Sequence, residues 1–190
     1  NYGEFYERRQ FTPGFKECVN VEIAGEKIPF GSNLLITYDN NRKLKVAVEI
    51  CEDLWTPEPP SISHAKNGAT LIVNASASNE TIGKDSYRKQ LVSGQSARLV
   101  CGYVYASAGG GESTQDIVFS GHNLICENGT VLSESHKFLD ESVYADIDLD
   151  RIYSERRRMS TYDVKENSQY TIVRAEGLID KELELIRYFD

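Results

Sequence analysis

Short β-prone runs alternate with helical runs along this chain, and that alternation constrains the fold more than any other feature. Leu44–Ile50 reads as a strand, and Cys51 follows at its C-terminal end. Pro57, Pro59 and Pro60 keep a regular helix from starting before about Ser61, and Gly68 can end it. Thr70–Asn74 is a strongly apolar run, expected to be a strand buried on both faces. Asp85–Val100 has helical spacing, with Leu91, Ala97 and Leu99 or Val100 expected to face inward. Gly102–Ala108 is a further strand, and Gly109-Gly110-Gly111 is a loop. This order predicts α/β architecture.

Outside this central stretch, Asn33–Tyr38 reads as an earlier strand. Gly121–Cys126 and Val131–Glu134 form a predicted hairpin around Asn128-Gly129, a dipeptide suited to a tight turn with positive φ. Val143–Ile147 is expected as a late strand. Arg151–Asp163, with Glu155-Arg156-Arg157-Arg158, reads as a solvated helix face, the alternative being an interface. Asp180–Tyr188 is a candidate helix within a linker or docking tail over 164–190.

With 190 residues the chain is long enough for one domain with a sizeable core. Its net charge of −8 argues against a nucleic-acid partner, because such a surface repels a phosphate backbone. No apolar run nears the roughly 20 residues of a membrane span, and no signal peptide is evident. The four cysteines are widely spaced without a C-x-x-C pair, so free thiols in a reducing, cytoplasmic setting are expected rather than a zinc site. The chain opens at Asn1 in mid-motif and reads as a fragment or a processed chain.

Cys51 is the candidate nucleophile. A thiol at a strand end, followed by polar residues, suits a sharp turn whose backbone N–H groups point at a developing oxyanion. The bland reading is a small buried residue. Glu49, Glu52 and Asp53 crowd it and disfavour the thiolate, so a cation must come from elsewhere. None of His64, His122 and His136 has the context of a general base, which argues against a Cys-His pair.

The string Glu49-Ile50-Cys51-Glu52-Asp53-Leu54-Trp55 resembles the nucleophile segment of the carbon–nitrogen hydrolases, the nitrilase superfamily. More narrowly, it resembles the glutaminase domain of glutamine-dependent NAD synthetases. Four further stretches agree in order: Asn1–Glu7, Asn74–Ser78 with Gly83-Lys84, Tyr103–Gly109 with Gly111–Thr114, and Ser154–Met159.

The resemblance implies an α-β-β-α four-layer sandwich, incomplete at its N-terminus, with an amidase domain over 1–163. It implies a Glu-Lys-Cys triad hydrolysing L-glutamine through a thioester. Only Cys51 of that triad can be carried over; no residue of this chain occupies the motif position of the lysine or of the general-base glutamate. Glu7 matches a supporting second glutamate, and the backbone N–H of Glu52 an oxyanion donor. Tyr2, Trp55, Ser78 and Lys84 match the glutamine-binding positions.

No metal or cofactor is implied for this domain, while ATP and Mg would serve a synthetase domain elsewhere in the parent protein. That domain, homo-oligomers and L-glutamine are the implied partners, with neither nucleic acid nor membrane. The 190 residues alone are expected to be inactive. The alternatives are a stand-alone amidase for another carboxamide and a catalytically dead assembly module.

Overall fold

The computed structural model describes residues 11, 12, 14, 15, 17–114, 116–165 and 169–176. A hairpin of β1 (Val19–Ile23) and β2 (Glu26–Phe30) forms its own two-stranded sheet. The main sheet has seven strands: β3 (Leu34–Tyr38), β4 (Asn41–Ile50), β5 (Leu71–Ser76), β6 (Gly102–Ser107), β7 (Leu124–Glu127), β8 (Thr130–Glu134) and β9 (Thr171–Ala175). Their spatial order is β8-β7-β6-β5-β4-β3-β9. The central strands β4, β5 and β6 are parallel; β3 pairs antiparallel with β4, β7 with β6 and β8 with β7, while β9 runs parallel to β3.

The helices α1 (Pro60–Lys66) and α2 (Lys84–Leu99) make the β4-α1-β5-α2-β6 crossovers that parallel pairing requires. α1 starts with Pro60 at its first position, where a missing N–H costs nothing. Both helices cover one face of the sheet. The core there joins Ala47, Ile72, Tyr103, Tyr105, Leu124 and Cys126 of the strands to Ala65, Val92 and Leu99 of the helices. The opposite face is more open: Val48 and Ile50 are 46% and 64% exposed. β5 shows the same asymmetry, with Ile72, Asn74 and Ser76 buried but Leu71, Val73 and Ala75 not, so its expected burial on both faces is corrected to burial on one. The described residues thus supply a helix layer and one full sheet of the expected sandwich.

Several expectations are met closely. The hairpin turn has Asn128 at φ 46° and Gly129 at φ 87°, the left-handed pair that its dipeptide predicts. β3, β4, α1, α2 and β6 fall where periodicity put them.

Other expectations need correction. Ala97 faces solvent, and Arg88, Val92, Gln95 and Ser96 are the buried positions of α2 beside Leu99. Val143–Ile147 is not a strand; it is irregular chain whose last residue, Ile147, lies over Gly102 and beside Leu71 on the open sheet face. A side chain at Gly102 would meet Ile147 and Leu71 at 2.9 Å, so glycine is what lets the segment lie down. Thr171–Ala175, expected within a linker or docking tail, is an edge strand parallel to β3.

The charged run forms α3 (Leu149–Arg158), capped by the Asp148 side chain on the Arg151 N–H at 2.9 Å. It is not wholly a solvated face, because Arg156 is buried at 8% exposure. The candidate helix at 180–188 lies outside the described residues.

Candidate active site

The C-terminal ends of β4, β5 and β6 point the same way and deliver Cys51, Ser78 and the Gly109 loop to one end of the sheet. In open parallel sheets that end is where ligands bind. Cys51 leaves β4 at φ 49°, a left-handed conformation that costs a non-glycine residue about 1–2 kcal/mol. It opens a single 3₁₀ turn over Cys51–Trp55. The Asp53 carboxylate closes the turn by accepting the Ile50 N–H at 2.8 Å. Leu54 anchors it in the core at 2% exposure, so Cys51 itself stays half-buried.

Asn74, the fourth residue of β5, holds Cys51 from the neighbouring strand. Its Oδ1 accepts the Cys51 N–H at 3.0 Å, and its Nδ2 donates toward the Cys51 carbonyl at 3.4 Å. The Cys51 amide is therefore engaged and cannot serve an oxyanion. This leaves the following residue, Glu52, as the oxyanion donor to be tested.

The three acids flanking Cys51 do not converge on its thiol. Glu49 is 2% exposed and turns into the helix layer, where Tyr103 Oη donates to Oε1 and the Ser61 N–H donates to Oε2 at 2.8 Å. Asp53 is spent on the turn, and Glu52 is exposed.

Histidine supplies no base beside the thiol. His64 is buried in α1 and shares a 2.9 Å hydrogen bond with the Tyr170 hydroxyl; burial holds its pKa below the ordinary value. His122 Nδ1 accepts from Arg88 at 3.0 Å, which leaves Nε2 to donate to Glu134 at 2.8 Å. His136 pairs with Glu141.

The loop between β5 and α2 carries two expected substrate contacts. Ser78 is 4% exposed and lies with Ser76 around the Tyr105 hydroxyl. Lys84 opens α2 after Gly83, at φ 79°; its ammonium reaches Asn79 Oδ1 and sits 5.3 Å over the Trp55 ring. Trp55 meets Tyr87 edge-on at 5.3 Å.

Trp55, Lys84 and Tyr87 line an open groove of about 480 Å³ with Asn79, Thr81, Ile82 and Gly83. Trp55 and Lys84 face the groove, whereas Cys51 and Ser78 do not line it. Glu80 pins the loop from beneath, accepting from Arg88 at 3.0 Å and from Ser120 at 2.5 Å. Tyr2 and Glu7 lie outside the described residues. Among the described residues no group of three or more acids, cysteines and histidines could hold a metal ion.

Asn74, Glu49, Tyr103, Arg88 and Glu80 were not singled out as site residues from sequence. A signal existed for Asn74, a polar residue at the end of the apolar run Thr70–Asn74.

A thiol on a left-handed elbow, with its amide locked from the next strand, suits nucleophilic attack in acyl transfer. The family model for carbon–nitrogen hydrolases matches residues 3–157, and the chain belongs to that family. A glutamine-dependent NAD(+) synthetase of Mycobacterium tuberculosis is 45% identical over 165 residues, covering 85% of this chain and 24% of that protein. The chain thus spans about a quarter of the length of such curated relatives. A crystal structure of a glutamine-dependent NAD(+) synthetase from Cytophaga hutchinsonii superposes with a TM-score of 0.58 at 33% identity, covering 70% of this chain and 20% of that one. Saccharomyces cerevisiae Nit3, of the nitrilase superfamily, superposes with a TM-score of 0.58 at 22% identity, over 83% of this chain and 50% of that one, a likeness of fold.

Proposed function

We propose that this chain is glutaminase sequence of a glutamine-dependent NAD synthetase, with Cys51 as the nucleophile. The observation that carries the reading is the Cys51 elbow, held by Asn74 at the ligand-binding end of the sheet. The relatives' names supply the substrate.

In this reading the Cys51 sulfur attacks the carboxamide carbon of L-glutamine. The Glu52 N–H supports the oxyanion, the C–N bond breaks and ammonia leaves with the thiol's proton. Water then cleaves the γ-glutamyl thioester to glutamate through a second oxyanion. Trp55 walls the substrate's aliphatic stem. The Lys84 ammonium, a point charge without a guanidinium's fork, pairs with the α-carboxylate. Ser78 and Tyr2 complete recognition, and Glu7 supports the site.

The base and the balancing cation are the family's glutamate and lysine, whose motif positions none of these 190 residues occupies. The ammonia serves amidation of deamido-NAD by a synthetase domain that uses ATP and Mg, in a cytoplasmic homo-oligomer. This domain itself uses no cofactor.

The test is ammonia release from L-glutamine by the full-length gene product and by its Cys51→Ala variant. Release by the first and none by the second is expected. Equal release by both would overturn the assignment.

A further inference from the structure

We propose that Glu49, Tyr103 and Asn74 form a hydrogen-bond relay of fixed direction that positions the backbone of Cys51, with Glu49 as the residue that sets the direction. The inference rests on Cys51 being the nucleophile and deepens that reading by naming what aims it.

The direction follows from which groups can donate. The Glu49 carboxylate only accepts, and it takes the Ser61 N–H at 2.8 Å and the Tyr103 hydroxyl. Tyr103 remains a phenol: burial, with the Glu49 charge beside it, pushes its pKa far up. Its single proton is therefore spent on Glu49, and toward Asn74 its oxygen can only accept. That oxygen takes an N–H of Asn74 Nδ2 at 3.2 Å.

The amide of Asn74 is thereby oriented, with Nδ2 toward Tyr103 and Oδ1 toward the Cys51 N–H at 3.0 Å. Every member is sealed from water, with Glu49 2% exposed and Tyr103 and Asn74 at 0%, so solvent cannot substitute for a missing partner. The carboxylate lies two residues before the thiol in sequence, but it acts on Cys51 by the long way, through β6 and β5. The strained elbow is held by the last link of this relay.

Glu49→Gln separates direction from shape. The glutamine Oε1 still accepts the Ser61 N–H, but its Nε2 now donates to Tyr103. The Tyr103 proton then turns to Asn74, the Asn74 amide rotates, and Nδ2 faces the Cys51 N–H, donor against donor. The side chain keeps its size and shape, so the packing around it is kept.

In the full-length gene product the variant is expected to lose about 10- to 100-fold in kcat for glutamine, as for a misplaced oxyanion donor or nucleophile. KM should stay within twofold, and Tm should fall by a few degrees at most, the cost of one buried donor-against-donor contact. The Cys51 amide, resolved by selective ¹⁵N-cysteine labelling, should lose its protection from hydrogen exchange. Tyr103→Phe, which cuts the relay in the middle, should lower kcat at least fivefold and loosen the same amide. It carries the test if Glu49→Gln does not fold.

Unchanged kcat, or a Cys51 amide that stays protected, would overturn the relay. A wild-type protein that releases no ammonia would sink the glutaminase reading instead, and the exchange experiment would still decide whether the relay exists.

Discussion

Arg156→Met should be among the most destabilising single changes outside the site. The guanidinium is 8% exposed and donates through Nε to the Val100 carbonyl at 2.9 Å, and through Nη2 to Ala69 and Leu99 at 2.7 and 3.1 Å. Two of these carbonyls end α2, where Val100 turns left-handed at φ 46° and the helix presents orphan acceptors and partial negative charge. The third precedes β5. Tyr162 closes the site, its ring 4.9 Å from the guanidinium and its hydroxyl donating to Leu99 at 2.8 Å.

Methionine keeps most of the packing volume and removes all three donors. Hydrogen bonds from a charged group contribute about 1.5–3 kcal/mol each, and the cost of burying the cation offsets several kcal/mol of their sum. The net loss is about 3 kcal/mol, or a fall in Tm of about 6–12 °C for a chain of this size. Urea denaturation of wild type and variant measures it. A difference below about 1 kcal/mol would refute the reasoning, because the three carbonyls would then have found other partners at no cost.

Two other predictions concern titratable groups. His64 is held neutral by burial, so the unfolded chain binds a proton that the folded chain resists. Its contribution to stability is present above the unfolded value of 6.5 and is lost as pH falls from there toward the depressed folded value; urea midpoints should drop over that range, and by less in His64→Gln. Among the thiols, burial pushes Cys101 up to about 12 and Cys126 up to about 11, whereas Cys18 and Cys51 are half-buried. Ellman's reagent at pH 8 should titrate Cys18 and Cys51 in the native protein and reach Cys101 and Cys126 only on unfolding. Rapid reaction of all four would contradict the packing described.

What the sequence made legible were the features fixed by neighbours along the chain. Periodicity placed β4 and α2, the Asn128-Gly129 dipeptide placed its turn, and the strand-end position of Cys51 was readable because the apolar run stops there. What it hid depended on partners far away. Val143–Ile147 has strand composition, but a strand needs a ladder, and this segment pairs with none, setting only Ile147 against the sheet face. β9 has the same local character and is a strand because the edge of β3 is open to it. Arg156 reads as one more solvated charge until the ends of α2 and β5 are brought to it. The acids around Cys51 looked like a crowd because sequence shows proximity but not direction; two of the three are occupied by donors on the far side of the strand or within the turn.

The most direct test of the account is covalent labelling of the full-length gene product with a glutamine-mimicking electrophile, 6-diazo-5-oxo-L-norleucine, followed by peptide mass mapping. One adduct is expected, on the peptide carrying Cys51, formed rapidly and blocked by L-glutamine. An adduct elsewhere, or labelling of Cys51 that L-glutamine does not slow, would contradict it.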